Sequence, residues 1–142
     1  MLISGFEGGR CLLARLDHGA DIIGQITHLA KEKEIKTGFL SVIGALCRAE
    51  LGYYDQVSQK YGEIQIGEPV ELVTCLGNVS LRNGRPFVHA HAALSDRAGR
   101  VYGGHLNSGT VFAAELYMQE LLGLNLERVP DSITGLNLWG EE

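Results

Sequence analysis

The sequence predicts an α+β domain, a mostly antiparallel sheet with one main helix, compact and single over residues 1–142. Three observations predict it. One stretch alone, ADIIGQITHLAKEKEIK, repeats apolar residues at helical spacing. Much of the remaining chain consists of short runs that alternate apolar and polar residues or are rich in branched side chains. Turn residues such as Arg82-Asn83-Gly84 and Asp96-Arg97-Ala98-Gly99 separate those runs.

Taken in order, CLLARLDHG reads as a strand that leaves on a turn. In the helix, Ile22, Ile23, Ile26, Leu29 and Ala30 form one apolar stripe, and the run Lys31 to Glu34 is a solvated face. Gly38 is the expected end of that unit. TGFLSVIGAL reads as a buried strand and AELGYYD as a separate one, with Tyr53, Tyr54 and Asp55 packing its end. QVSQKYGEIQIGEP is a polar connection that contains a short strand. VELVTCLGNVSLRNG is a further strand that closes on a turn, and PFVHAHAALSDRAGRVYGGHL is a hairpin. TVFAAELYMQELLG is expected as strand followed by a short helical turn, and RVPDSITGLNLW completes the domain.

Composition narrows the function classes. With 12 Lys and Arg against 17 Asp and Glu the net charge is −5, which opposes long-range attraction to polyanions. Cys11, Cys47 and Cys75 are odd in number and widely spaced, so they fit buried free thiols rather than a disulfide framework or a cysteine zinc site. The N-terminal residues lack a basic start followed by an apolar run, and no segment is apolar enough to span a bilayer. The expectation is a cytoplasmic protein with no membrane partner. There is no phosphate-binding loop, nucleophile elbow or metalloprotease helix motif.

The hairpin carries the chemistry. Alternation puts Phe87, His89, His91 and Ala93 on one face and Val88, Ala90, Ala92 and Leu94 on the other. A type I turn with Gly99 in the left-handed region would pair Asp96 with Arg100, Leu94 with Tyr102 and His91 with His105. His89, His91 and His105 then converge on one patch. Three neutral imidazoles suit zinc or another divalent transition metal, with a fourth position open to water or a small-molecule ligand. Gly103 and Gly104 leave room for a ligand or a close backbone approach. The alternative is a half-buried polar patch at a subunit interface. His18 and His28 are expected at the surface. Glu115 is an interface or edge residue, or a carboxylate that orients a ligand histidine or acts as an acid/base beside the metal. Asn78 is a turn residue or lines the pocket, and Asn107, opposite His89 in this register, either reaches a bound water or simply ends a strand.

The blocks GALCRAELGYYD, ELVTCLGNVS, PFVHAHAALSDRAGRVYGGHL and TGLNLW resemble the PPC domain shared by plants and prokaryotes. The likeness covers nearly the whole chain. It implies a compact α+β domain that assembles as a homotrimer. In plants the domain follows AT-hook motifs, and prokaryotic members are often named as DNA-binding. This sequence has no AT-hook: Gly84-Arg85-Pro86 has the core order of one but lacks basic neighbours and lies between strands. The plant counterpart of FVHAHAAL generally lacks the histidines. A more distant resemblance, H-x-H followed by a hairpin and G-H, is to the zinc site of α-acetolactate decarboxylase. It implies metal binding at His89, His91 and His105 without implying the decarboxylase reaction, and no catalytic residue is assigned.

Two function classes follow, with a structural metal in an assembly scaffold as a third. One is a metal-binding domain, as a small metal-dependent enzyme in its fullest form. The other is a DNA-associated regulator, which the charge disfavours unless assembly gathers Arg82, Arg85, Arg97 and Arg100 into one patch.

Overall fold

The structure, a computed structural model, describes residues 1–140. Eight strands and one helix follow in the order β1 (Glu7–Leu16), α1 (Ile22–Glu32), β2 (Gly38–Asp55), β3 (Lys60–Ile66), β4 (Val70–Arg82), β5 (Arg85–Ser95), β6 (Val101–Leu122), β7 (Glu127–Pro130) and β8 (Asn137–Gly140). The α+β class holds.

Two long strands organise the sheet. β2 pairs with β6 along one edge, and on its other edge first with β4 and then with β3. β4 pairs with β5, and β5 with β6, so β2, β4, β5 and β6 close into a ring. Closure leaves these four strands few unpaired edges, the usual liability of an antiparallel sheet. β1 adds to the far half of β6, and the β7–β8 hairpin attaches to β4.

The helix covers the interior of this ring. Ile22, Ile26 and Ala30 are fully buried and pack with Leu40, Val42, Leu94 and Leu116 in one core. Asp21 caps the helix by accepting from the Gly24 amide at 2.7 Å. Its second oxygen accepts from the Gly109 amide at 3.0 Å, which ties the helix start to β6.

Five expectations change. The helix ends at Glu32 rather than running to residue 36, because Glu34 adopts a left-handed backbone (φ 54°) and turns Ile35 into the core. Gly38 opens β2 and does not end the helix. The two strands expected over TGFLSVIGAL and AELGYYD are one strand of 18 residues. It bends at Gly44 (φ 148°) and at nearby register shifts instead of breaking. The helical turn expected after TVFAAELYM is strand throughout, because both edges of β6 are occupied by β1 and β2. Alternate residues Ala114, Leu116, Met118 and Glu120 are buried, and Glu120 is held by Arg10 at 2.7 Å. Last, the thiols are not all buried: Cys75 is, Cys47 is half-buried and Cys11 is exposed, all three being free.

A Cβ at Gly44 would collide with the carbonyl oxygen of Ala113 on β6, at a φ that side chains avoid. Gly44→Ala is expected to cost about 2 kcal/mol or more. Urea unfolding followed by circular dichroism checks this; wild-type stability would contradict the bend as described.

Candidate metal centre

The site begins with a loop. The Asp96 amide donates to the Arg100 carbonyl at 3.0 Å, and the Gly99 amide donates to the Asp96 carbonyl at 2.9 Å. Gly99 sits at φ 78°, where a glycine meets no Cβ penalty. The buried Asp96 carboxylate accepts from the Ala98 amide at 2.8 Å, the Arg100 amide at 3.0 Å and Arg100 Nε at 2.7 Å. Burial alone would raise its pKa. The bonds from Arg100 and Ala98 and the charge of Arg100 reverse that and hold the carboxyl below its ordinary value.

This loop sets the expected register: Leu94 lies opposite Tyr102 and His91 opposite His105. Val88, Ala90, Ala92 and Leu94 face the core, which leaves the histidines on the other face. Gly104 serves as a close approach, since a Cβ there would lie 2.8 Å from the Gly52 carbonyl oxygen on β2.

His89, His91 and His105 each offer one ring nitrogen, and these atoms all lie within 4.8 Å of one another. The Nε2 atoms of His89 and His91 are 3.3 Å apart. Nitrogens placed tetrahedrally about 2.0–2.1 Å from one metal would be separated by about 3.3–3.4 Å. The donor set therefore fits a divalent transition metal after small side-chain adjustments.

Past His91 and His105 the β5–β6 ladder stops, while β6 continues against β2. Asn107 is thus not paired with His89. It lies across the opening and donates to Glu50 Oε1 at 3.1 Å. The divergence leaves a cavity of about 360 Å³ with His89 and His105 on one wall and Arg82 and Arg128 among the other lining residues. Asn78 is a strand residue opposite His89, not a turn residue, and its Oδ1 accepts from Arg128 Nη2 at 3.0 Å.

Other expected positions separate from the site. Glu115 is exposed on β6 opposite Ile43 and Arg15, ten residues beyond His105 and roughly 30 Å along an extended strand, too far to orient the imidazoles. His18 and His28 are exposed, as expected. Tyr54 secures the end of β2 by donating to the Thr134 carbonyl at 2.6 Å. Asp55 accepts from the Ser58 amide at 2.6 Å in the following turn, and Tyr53 is exposed. Arg82 and Arg85 flank one end of β5 and Arg97 and Arg100 the other, so they form no single patch within one chain.

Sequence reasoning missed Arg128. No motif surrounds it, and only tertiary pairing of the short β7 brings it to the cavity. The signal available was an arginine within the closing block, too common a feature to single out.

The fold and the three imidazoles define a small β-rich domain with a candidate metal centre. The chain belongs to the Plants and Prokaryotes Conserved (PCC) domain family, whose model matches residues 3–122. It is similar to a metal-containing protein from Archaeoglobus fulgidus, with 43% identity over 99% of this chain and 100% of that one and a TM-score of 0.96. A plant- and prokaryote-conserved (PPC) protein from Pyrococcus horikoshii gives 39% identity over 100% and 99% of the two chains, with a TM-score of 0.94. The chain is 31% identical over 124 residues to the bifunctional protein GlmU of Synechococcus, covering 85% of this chain but only 19% of that protein's length. The α-acetolactate decarboxylase of Bacillus subtilis shares the fold alone: 12% identity, a TM-score of 0.58, and coverage of 87% of this chain and 57% of that one.

Burial, then the charge of Arg128 and the neighbouring imidazoles, push His89 down to about 4. Burial also lowers His105, reinforced by His91 and Arg128. A histidine in the unfolded chain titrates near about 6.5. Below that pH the unfolded form takes the proton first, so stability of the metal-free protein falls as pH drops from about 6.5 toward about 4. Ring-proton NMR is expected to show His89 neutral at pH about 5.5; a midpoint near about 6.5 would contradict the buried placement.

Proposed function

We propose that the domain binds one divalent transition metal per chain through His89, His91 and His105, and that this centre works on a small molecule. The observation that carries the reading is the meeting of three imidazole nitrogens within 4.8 Å beside a cavity. Zinc is the metal that three neutral nitrogens favour, with a position left for a ligand. A metal held there supplies Lewis acidity, which polarises a carbonyl or lowers the pKa of water. The chain's own contributions are distinct. The lowered His89 and His105 keep their lone pairs available near neutral pH. The β5–β6 ladder holds His91 and His105 opposed. The similarity to a metal-containing archaeal protein supports the same reading.

A DNA-associated role finds less support. Net charge is −5, the four arginines that would form a basic patch lie at opposite ends of β5, and Arg100 is already paired with Asp96.

We further propose a homotrimer, as the family resemblance implies. Leu13, Tyr117, Ser41 and Leu76 form a row across β1, β6, β2 and β4 in register, with Phe39 and Ile43 beside it. The apolar members of this group are all exposed, a face that an oligomer would cover. Sedimentation equilibrium is expected to give three times the chain mass of 15.4 kDa; a monomer would contradict it.

Elemental analysis of untagged protein, never exposed to a nickel column, is expected to find about one zinc-like metal per chain. His91→Ala, at an exposed position, should lose the metal while keeping the wild-type circular dichroism spectrum. Wild-type protein that stays metal-free after incubation with zinc, nickel and manganese would overturn the assignment.

A further inference from the structure

Arg128 is placed unlike the other arginines. Its Nε donates to Ser80 Oγ at 2.9 Å, its Nη1 to the Asn137 carbonyl at 3.1 Å and its Nη2 to Asn78 Oδ1 at 3.0 Å. Every one of these acceptors is neutral. The guanidinium lies 5.4 Å from the centre of the Phe87 ring and 5.7 Å from that of Trp139, so two aromatic faces fix its plane. Among the described residues no carboxylate forms an ion pair with it; the ion pairs found are Arg10–Glu120, Lys33–Glu32 and Arg100–Asp96.

A guanidinium has more N–H groups than the three in use, so Arg128 keeps donors for a further partner. Arg128 is half-buried, and drawing even part of a cation out of water without a counter-charge costs free energy. A charged group that lines a cleft with its solvation reduced and no charge partner is a candidate ligand-binding group. Arg82 adds a second positive charge at the same cavity and stacks on Phe87 at 5.5 Å. Glu63 is the one carboxylate on the lining, and it is exposed on β3.

The same cavity is walled by His89 and His105. Its volume of about 360 Å³ admits only a small molecule. We infer that this centre takes a small carboxylate bearing a second oxygen: the carboxylate is gripped by Arg128, with Arg82 adding charge, while the second oxygen reaches the metal. This rests on the metal reading above and adds the substrate class to it. Arg128 acts here as a binding residue, its fork matching the two oxygens of a carboxylate.

The test uses glycolate, with neutral glycolamide as control, titrated calorimetrically into zinc-loaded wild-type protein and into Arg128→Gln. Zinc content is measured on the same samples. Glycolate is expected to bind wild type and to lose about tenfold or more in Arg128→Gln. Glycolamide should bind both alike, and zinc content should be unchanged. Full zinc with undiminished glycolate affinity in Arg128→Gln overturns this inference and leaves the metal reading standing. Wild type that holds no zinc overturns both. Because Arg128 bridges β7, β4 and β8, the Gln variant can lose its fold. Arg82→Gln, at an exposed position, then replaces it, with an expected loss of about threefold. Unchanged glycolate affinity in that variant overturns the inference equally.

Discussion

The loop from Asp96 to Arg100 decides what the rest of the site becomes. It joins β5 to β6 with one register, and side chains on paired strands share a face only in that register. A slip of one residue would send His105 to the side that holds Leu94 and Leu106. The buried Asp96 carboxylate opposes such a slip because it accepts from two amides of the loop and from the Arg100 guanidinium. Local turn chemistry thus becomes a three-histidine constellation further along the two strands, with His91 and His105 opposed across them. Stability and site geometry draw on the same few bonds.

The closed ring of strands explains why the histidines stand at a cavity. β6 is shared: its first residues pair with β5, its last with β1, and its whole middle with β2. Where β6 commits to β2 alone, it leaves β5 and a gap opens beyond His91 and His105. β4 continues along β5 on the other side and carries Asn78 and Ser80, which anchor Arg128 from β7. Imidazoles and a guanidinium therefore face one space from different strands. Burial, reinforced by their mutual repulsion, lowers the pKa of His89 and of His105 and so favours the neutral rings. Neutral rings are the form in which nitrogen binds a metal.

Much of this was readable in the residues. The alternation in FVHAHAAL placed His89 and His91 on one face because a strand has a period of two, and SDRAGR specified the turn that brings His105 to the same face. The helix stripe was equally plain, although its end was not, since nothing local marks Glu34 for a left-handed backbone. The helical turn expected near Gln119 failed because two neighbouring strands impose extension there, a tertiary effect. Arg128 escaped notice for the same reason. Its role depends on a parallel contact between β4 and β7, which pairs residues 81 and 127. Composition predicted three buried thiols, yet Cys11 lies exposed on β1 against Tyr117 and Gln119.

The central claim is that residues 89, 91 and 105 grip a single cation. The most direct measurement is anomalous diffraction from untagged crystals, collected above and below the zinc absorption edge. The account predicts one strong peak bounded by the three imidazole rings, at about 2.0–2.1 Å from each coordinating nitrogen. A zinc-soaked crystal with no peak there, or with the rings turned apart and the density elsewhere, would contradict it.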